Sequence, residues 1–313
     1  MPEQQIDAPP SKLEATYKAR DVEGIIDLYF YRKIGFRLAQ FFARLKMTPA
    51  QVTLVGGLFG VVAGHLYYYR DLRLNMLGML LHVIANALDN ADGQLARLLN
   101  QNSRTGRLID SVVDHVIWTS VYLHITLRYL AEGGSSWVWL LAAAAGFSHA
   151  LQAAAADYYR NGYIYFVKNR SRADFAPSSI LHEEYRKMRW FSEPGQKLLF
   201  ALYMNITRQQ ELLSPDLKRL HERVERDFPD EIPAWLQSRY RNNARPALKW
   251  WGFLMTNTRM FFLFILFLIG QPVWFFWIAL VVFNALLLYL ILQQKGKFRS
   301  LLEVLEPRHQ VAA

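Results

Sequence analysis

The apolar residues of this chain are collected in long blocks and not in the short alternating runs of a soluble domain. A block of about twenty apolar residues lets a helix cross the hydrocarbon core of a bilayer. Six such blocks can be marked: 48–69, 74–97, 106–130, 135–158, 247–270 and 272–292. The pattern predicts an all-α, polytopic membrane protein with six transmembrane helices.

Residues 25–46 carry a different pattern, in which apolar and basic side chains separate on a helical period. Ile34, Leu38 and Phe41 recur on one face, while Lys33 and Arg37 fall on the other. A helix of this kind can lie in the headgroup plane of a membrane. We therefore predict an N-terminal amphipathic interfacial helix, with packing on the rest of the protein as an open alternative.

These patterns divide the chain into five regions. They are a cytoplasmic N-terminal segment with the amphipathic helix (1–46), transmembrane helices 1–4 (47–158), a hydrophilic cytoplasmic insert (159–246), transmembrane helices 5–6 (247–294) and a cytoplasmic tail (295–313). The insert contains several prolines, and we recognise no catalytic motif in it.

The formal net charge of +10 is explained mainly by membrane topology. Lys and Arg crowd the termini, the insert and the stretch 97–107, whereas the turns 132–136 and 270–271 carry neither. Under the positive-inside rule both termini and the 98–105 loop face the cytoplasm. This predicts a multi-pass protein of the cytoplasmic membrane without a nucleic-acid partner. Arg70, Arg73 and Arg128 run against the rule.

The candidate chemistry lies in predicted helices 2 and 3. Eight residues form one pattern there: Asp89, Asp92, Gly93, Ala96, Arg97, Gly106, Asp110 and Asp114. A charged residue at the centre of a membrane helix costs roughly 2.5–3.5 kcal/mol on insertion scales. Four aspartates at helical spacing, on helices joined by a short loop, should converge near the cytoplasmic ends of the two helices. They need a cationic partner.

Paired divalent cations are the simplest partner for these carboxylates, because closely packed acids cannot all ionise without a counter-charge. The chain has no cysteine, so oxygen ligands favour Mg²⁺ or Mn²⁺ over a soft metal. Two such ions can clamp the oxygens of a phosphoryl displacement. Gly93 and Gly106 leave room for a nucleotide, and Arg97 suits a diphosphate, although it could also anchor the helix at the interface.

The pattern D-x2-D-G-x2-A-R-x8-G-x3-D-x3-D resembles the signature of the CDP-alcohol phosphotransferase (CDP-alcohol phosphatidyltransferase) family, with all eight fixed positions present. The resemblance covers roughly residues 48–292, although the long insert departs from compact members. It implies metal ligation by Asp89, Asp92, Asp110 and Asp114, with Asp114 also the general base. It implies contacts to the CDP moiety by Gly93, Ala96, Arg97 and Gly106.

The resemblance further implies an enzyme of phospholipid biosynthesis that uses two Mg²⁺ or Mn²⁺ ions. Such an enzyme cleaves the pyrophosphate of a CDP-alcohol, passes the phosphoryl-alcohol to an acceptor hydroxyl and releases CMP. The favoured donor is CDP-diacylglycerol, with a CDP-aminoalcohol of the choline or ethanolamine type and a lipid hydroxyl acceptor as the alternative. The resemblance also suggests a homodimer.

Two readings from other classes are weaker. A cation-coupled transporter would need polar residues through the full width of the membrane and an internal repeat, and neither stands out. An inactive scaffold would not need the intact aspartates.

A second polar group interrupts predicted helix 5. Arg259, close to Asn257, needs an anion or a water-filled cavity if it lies inside the membrane. We consider both residues as candidates for binding the acceptor, with a position at the membrane interface as the alternative.

Overall fold

The computed structural model describes Leu13, Thr16 and residues 20–168, 175–189 and 194–305. Within these ranges the regular structure is helical, without a β-strand, which confirms the predicted all-α class. The remaining residues of the N-terminal segment and residues 306–313 of the predicted tail lie outside the described residues.

The helices follow one another in short steps. They are α1 (Arg32–Arg44), α2 (Pro49–Leu66), α3 (Leu72–Leu98), α4 (Arg104–Ala131), α5 (Val138–Val167), α6 (Ser178–Lys187), α7 (Pro194–Leu213), α8 (Pro215–Asp227), α9 (Ala234–Phe253), α10 (Thr256–Leu268), α11 (Trp274–Trp277) and α12 (Phe283–Leu305). A π-helical turn (Asp27–Tyr31) precedes α1, and another (Ile278–Val282) joins α11 to α12. The chain forms two compact units, Met1–Glu132 and Gly133–Ala313.

Four helical segments of the described chain are long and apolar enough to cross a membrane. They are Pro49–Leu66, Val138–Val167, Ala234–Leu268 and Trp274–Leu305. The protein is therefore a polytopic membrane protein. Predicted helices 2 and 3 correspond to α3 and α4, which are 27 and 28 residues long and carry the charged motif. The count of six spans stays a prediction.

In the first unit, α2 packs against both α3 and α4 through glycines. A Cβ atom on Gly56 would lie 3.2 Å from Leu88 Cβ of α3. A Cβ atom on Gly60 would lie 2.6 Å from Ile117 Cδ1 of α4, closer than real atoms approach. Small residues at this spacing let helix backbones come close, so α2 holds the two motif helices side by side.

Helix α1 packs on α3, on the side that carries Ala91 and Gln94. A Cβ atom on Gly35 would lie 3.2 Å from the Ala91 backbone nitrogen, and Gln94 Nε2 donates to the Arg32 carbonyl oxygen at 3.1 Å. The amphipathic helix therefore packs on the rest of the protein, as the alternative prediction states. Further apolar side chains of the segment remain more than half exposed: Ile25, Ile26, Tyr29, Phe41 and Leu45. They leave an apolar surface for a membrane interface, which stays a prediction.

At the α2–α3 turn and the end of α4, the first unit is stabilised by a buried arginine. Arg128 Nη1 donates to the Tyr69 carbonyl oxygen and to Asn75 Oδ1, both at 3.0 Å. Arg128 Nε and Arg70 Nε each lie 3.1 Å from Glu132 Oε1. These contacts give two of the arginines that run against the positive-inside rule a structural role, because they close the α2–α3 turn and pair with Glu132.

The second unit is built around α5, which packs against α7 and α9. Tyr159 of α5 stacks on Trp251 of α9 with ring centroids 4.2 Å apart, and Phe166 stacks on Tyr240 at 4.3 Å. The ends of the predicted insert therefore belong to long helices shared with the predicted spans. Between them, α6, α7 and α8 form the rest of the insert.

Candidate metal and nucleotide site

Three aspartates of the motif come together in the first unit. Asp89 and Asp92 stand on one face of α3 because they are three residues apart, and Asp110 stands on α4. One carboxylate oxygen from each lies within 4.8 Å of the others. The cluster is a set of oxygen donors of the kind that binds a divalent cation.

Asp114 lies one turn beyond Asp110 on the same helix. Its side chain is exposed, whereas Asp92 is buried and Asp89 and Asp110 are partly buried. Asp114 is not one of the three residues whose oxygens meet within 4.8 Å. Its expected role as a fourth ligand stays a prediction, and its exposure leaves the carboxylate accessible to a substrate.

Thr53 of α2 holds the buried Asp92. Its Oγ1 donates to Asp92 Oδ2 at 2.5 Å, and it also lies 3.0 Å from the Pro49 carbonyl oxygen. A hydrogen bond from a hydroxyl to a carboxylate is short and strong. Sequence reasoning missed Thr53. The available signal was its place on the face of α2 that carries Gly57, Gly60 and Gly64.

The donor set fits a hard divalent cation. Asp110 Oδ1 is buried and makes no hydrogen bond within the described part of the chain. A buried polar atom without a partner is costly, and an ion or ordered water is the usual explanation for one. All three clustered donors are carboxylates, and the sequence contains no thiolate that would favour a softer metal.

The candidate nucleotide-binding residues line α3 and the start of α4. The Arg97 guanidinium folds back along α3, so that Nη2 lies 3.4 Å from where a Cβ atom of Gly93 would stand. Ala96, one turn after Asp92, is partly buried. The Gly106 amide donates to Ser103 Oγ at 2.9 Å, which caps α4. The space beside Gly93 is thus occupied by the Arg97 guanidinium, the group expected to bind the diphosphate.

The acceptor candidates lie in the second unit. Arg259 of α10 is fully buried, donates to Gln152 Oε1 at 2.7 Å and to the Leu254 carbonyl oxygen, and stands 4.9 Å from the Phe283 ring centre. These contacts show how a charged side chain is accommodated among apolar helices. Asn257 lies in the first turn of α10. Acceptor binding by either residue stays a prediction.

Comparison with known proteins gives a family match for part of the chain. Residues 46–164 match the model of the CDP-alcohol phosphatidyltransferase family. The matched segment contains all eight motif positions and also Thr53.

Several curated proteins are similar to part of the chain. An archaetidylinositol phosphate synthase of Pyrococcus horikoshii is 29% identical over 96 residues, which are 31% of this chain and 50% of that protein. A phosphatidylinositol phosphate synthase of Streptomyces avermitilis is 30% identical over 107 residues, 34% of this chain and 43% of that protein. A bifunctional IPC transferase and DIPP synthase of Aquifex aeolicus is 26% identical over 141 residues, 45% of this chain and 31% of that protein. The chain thus spans between about a third and a half of the length of these relatives.

Proposed function

We propose, from the premise that residues 46–164 form a CDP-alcohol phosphatidyltransferase domain, that the protein transfers a phosphoryl-alcohol group from a CDP-alcohol to an acceptor hydroxyl and releases CMP. The observation that carries the proposal is the carboxylate cluster of Asp89, Asp92 and Asp110, with its buried and unsatisfied oxygen. Phosphoryl transfer depends mainly on positioning and on electrostatic stabilisation. A rigid set of acids on packed helices supplies both.

In the proposed reaction the acceptor hydroxyl oxygen attacks the phosphorus that bears the donor alcohol. The bond from this phosphorus to the bridging oxygen of the pyrophosphate breaks, and that oxygen leaves on CMP. Asp114, exposed beside the cluster, takes the proton of the acceptor hydroxyl. Arg97 donates hydrogen bonds to the pyrophosphate, and Gly93, Ala96 and Gly106 allow the nucleotide to approach the backbone.

The residues that would hold the metal are Asp89, Asp92 and Asp110, completed by Asp114. Two Mg²⁺ or Mn²⁺ ions bound there would neutralise the carboxylates and stabilise the charge that develops on the leaving phosphate. Thr53 keeps Asp92 in one orientation for this task.

The proposed donor is CDP-diacylglycerol, and the distribution of basic residues supports a reaction on the cytoplasmic face of the cytoplasmic membrane. Two relatives are named as synthases of an inositol phosphate lipid, which makes inositol phosphate the first acceptor to test. A CDP-aminoalcohol with diacylglycerol as acceptor is the competing pair.

The test is CMP release by the purified full chain in mixed micelles with Mg²⁺. One arm contains CDP-diacylglycerol with inositol phosphate, glycerol phosphate or serine, and the other contains CDP-choline or CDP-ethanolamine with diacylglycerol. We expect CMP only when donor, acceptor and divalent cation are all present. If the folded protein released no CMP with any of these donor and acceptor pairs, the proposal would be contradicted.

Asp114→Asn provides the residue-level test. It removes the proton acceptor with little change in shape, so we expect a loss of about 10²–10⁴-fold in turnover. Asp71→Asn is the matched control, because Asp71 caps the other end of α3 through the Arg73 amide and asparagine caps equally well. Full activity of Asp114→Asn would show that Asp114 is not the proton acceptor.

A further inference from the structure

Two histidines meet at the end of α2 that lies away from the carboxylate cluster. His65 Nδ1 of α2 lies 3.1 Å from His124 Nε2 of α4. The His65 side chain is exposed and that of His124 is half-buried, so the pair is accessible from outside the helix bundle. Neither residue takes part in the proposed reaction.

Neighbouring groups orient both rings. His124 Nδ1 lies 2.7 Å from the Ser120 carbonyl oxygen, which can only accept a hydrogen bond. His124 Nδ1 therefore carries the proton, and its Nε2 presents a lone pair to His65. His65 Nε2 lies 3.2 Å from the Tyr69 hydroxyl. A hydroxyl can donate or accept, so His65 can carry its proton on either nitrogen.

We propose that His65 and His124 form a binding site for a late first-row divalent ion such as Zn²⁺ or Cu²⁺. Two imidazole nitrogens on one tetrahedral zinc, each bonded at ~2.0–2.1 Å, stand about 3.3 Å apart. The observed 3.1 Å is close to that separation before any adjustment of the rings. Water completes the coordination on the exposed side of His65.

Metal binding needs a tautomer change at His65 and a small adjustment of the two rings. In the metal-free pair His65 Nδ1 donates to His124 Nε2, and Tyr69 donates to His65 Nε2. With the metal bound, the His65 proton sits on Nε2 and Tyr69 accepts it, while Nδ1 ligates. The Ser120 carbonyl and the Tyr69 hydroxyl then hold the outer nitrogens, as is usual for metal-bound histidines.

This site is separate from the carboxylate cluster in place and in chemistry. His65 lies twelve residues along α2 from Thr53, about 18 Å at 1.5 Å per residue. Imidazole nitrogens favour zinc, copper and nickel, whereas carboxylates suit magnesium and manganese. Excess Mg²⁺ should therefore occupy the acids and leave the histidines free.

The experiment is a Cu²⁺ titration of the full chain in detergent, purified with a histidine-free tag and saturated with Mg²⁺, and followed by electron paramagnetic resonance. We expect one copper ion per chain whose spectrum shows coupling to two imidazole nitrogens. Because this signature is read from the unsubstituted protein, it does not depend on the folding of a variant. Copper bound without nitrogen coupling, or not bound, would overturn the proposal.

Substitutions then locate the ion. His65→Gln and His124→Gln should each weaken copper binding about tenfold or more, a loss that corresponds to at least ~1.4 kcal/mol. His115→Gln is the matched control, since His115 makes the same kind of bond from Nδ1 to the carbonyl oxygen four residues earlier, at 2.6 Å from Ser111. Equal affinity in all three variants would contradict the assignment. The copper signal is independent of CMP release, so this inference and the proposed function can fail separately.

Discussion

At the scale of single residues, Thr53 shows how a neutral side chain can fix a metal ligand. Its hydroxyl donates to Asp92 Oδ2 and so holds the carboxylate in one orientation. Asp92 is buried, so the hydrogen bond is not exchanged with water and the orientation is maintained. Groups that orient a ligand in this way commonly affect metal affinity by 10–100-fold.

We expect Thr53→Val to weaken Mn²⁺ binding about 10–100-fold, because valine has the shape of threonine but no donor for Asp92. Thr53→Ser, which keeps the hydroxyl, should bind nearly normally. Thr126→Val is the control, since buried Thr126 donates only to the Tyr122 backbone carbonyl at 2.8 Å. The measurement is Mn²⁺ titration of the purified variants. Unchanged affinity in Thr53→Val would show that Asp92 needs no such support.

At the scale of elements, α2 is the helix on which the motif helices are assembled. Its glycines bring the α2 backbone against Leu88 of α3 and against Val113 and Ile117 of α4. The side chains opposite the glycines are therefore in direct contact with the α2 main chain. Any side chain added on this face should separate the helices that carry the aspartates.

We expect Gly60→Ala to lower the free energy of unfolding by about 1–3 kcal/mol, as is typical of overpacking. The atoms that the new Cβ would meet all belong to Ile117, whose branched side chain has little freedom to turn away. Gly146→Ala on α5 is the control, because its Cβ would meet nothing within 4 Å. That change should be neutral or stabilise the helix by up to ~1 kcal/mol. Thermal unfolding in detergent compares the two; equal midpoints would contradict the packing argument.

A second junction of elements lies in the insert, where Glu211 of α7 binds the start of α6 and the side chain of Lys218 on α8. The carboxylate accepts from the Ser178 amide at 2.8 Å and its hydroxyl at 2.6 Å, and lies 2.8 Å from Lys218 Nζ. Burial alone would raise the pKa of Glu211, but the bonds from Lys218 and Ser178 outweigh it and lower the pKa below its usual 4.5.

Because the folded pKa is lowered, Glu211 stabilises the α6–α8 junction above about pH 4.5, and this stability is lost as the pH falls through the folded pKa. We expect Glu211→Gln to increase proteolysis near α6 at pH 7, with the difference from the unsubstituted chain shrinking at low pH. Glu222→Gln is the control, since the Glu222 side chain is 42% exposed and its carboxylate lies 3.9 Å from Lys218 Nζ. The same difference at pH 7 and at low pH would contradict the role of the charge.

At the scale of the whole molecule, the sequence predicts the helical class and the motif helices well, since both follow from local periodicity. Asp89 and Asp92 are three residues apart, so in a helix they share a face whatever surrounds them. Thr53 is different, because its contact with Asp92 joins residues far apart in sequence and depends on how α2 packs. The pattern of apolar and polar residues does not show how α2 packs, so it could not predict this contact.

Helix boundaries illustrate the same limit. Predicted helix 5 begins at residue 247, where the apolar block starts, whereas α9 begins at Ala234 and runs through Pro246. A polar helix can continue beyond a membrane core, so hydropathy marks the apolar part and not the helix end. The prolines of the insert start helices instead of only breaking them, with Pro194 and Pro215 as the first residues of α7 and α8.

The absence of native cysteine allows a direct test of topology. The positive-inside rule places the α3–α4 loop in the cytoplasm and the 132–136 turn outside. In intact cells a membrane-impermeant maleimide should therefore label Ser136→Cys but not Asn102→Cys, and both should react after permeabilisation. The two positions are exposed, so access by solvent is matched. Labelling of Asn102→Cys in intact cells would show that the protein has the opposite orientation to the predicted one.

The four motif aspartates and Thr53 all lie in the unit Met1–Glu132, and this has a consequence for biosynthesis. Contacts between nearby parts of a chain form quickly, and a chain leaves the ribosome amino end first at about 5–20 residues per second. Translation of the residues after Glu132 then takes roughly ten to forty seconds at that speed. We expect a nascent chain that is long enough for α4 to have left the ribosome to bind divalent cations already, before the later helices of the second unit have been made.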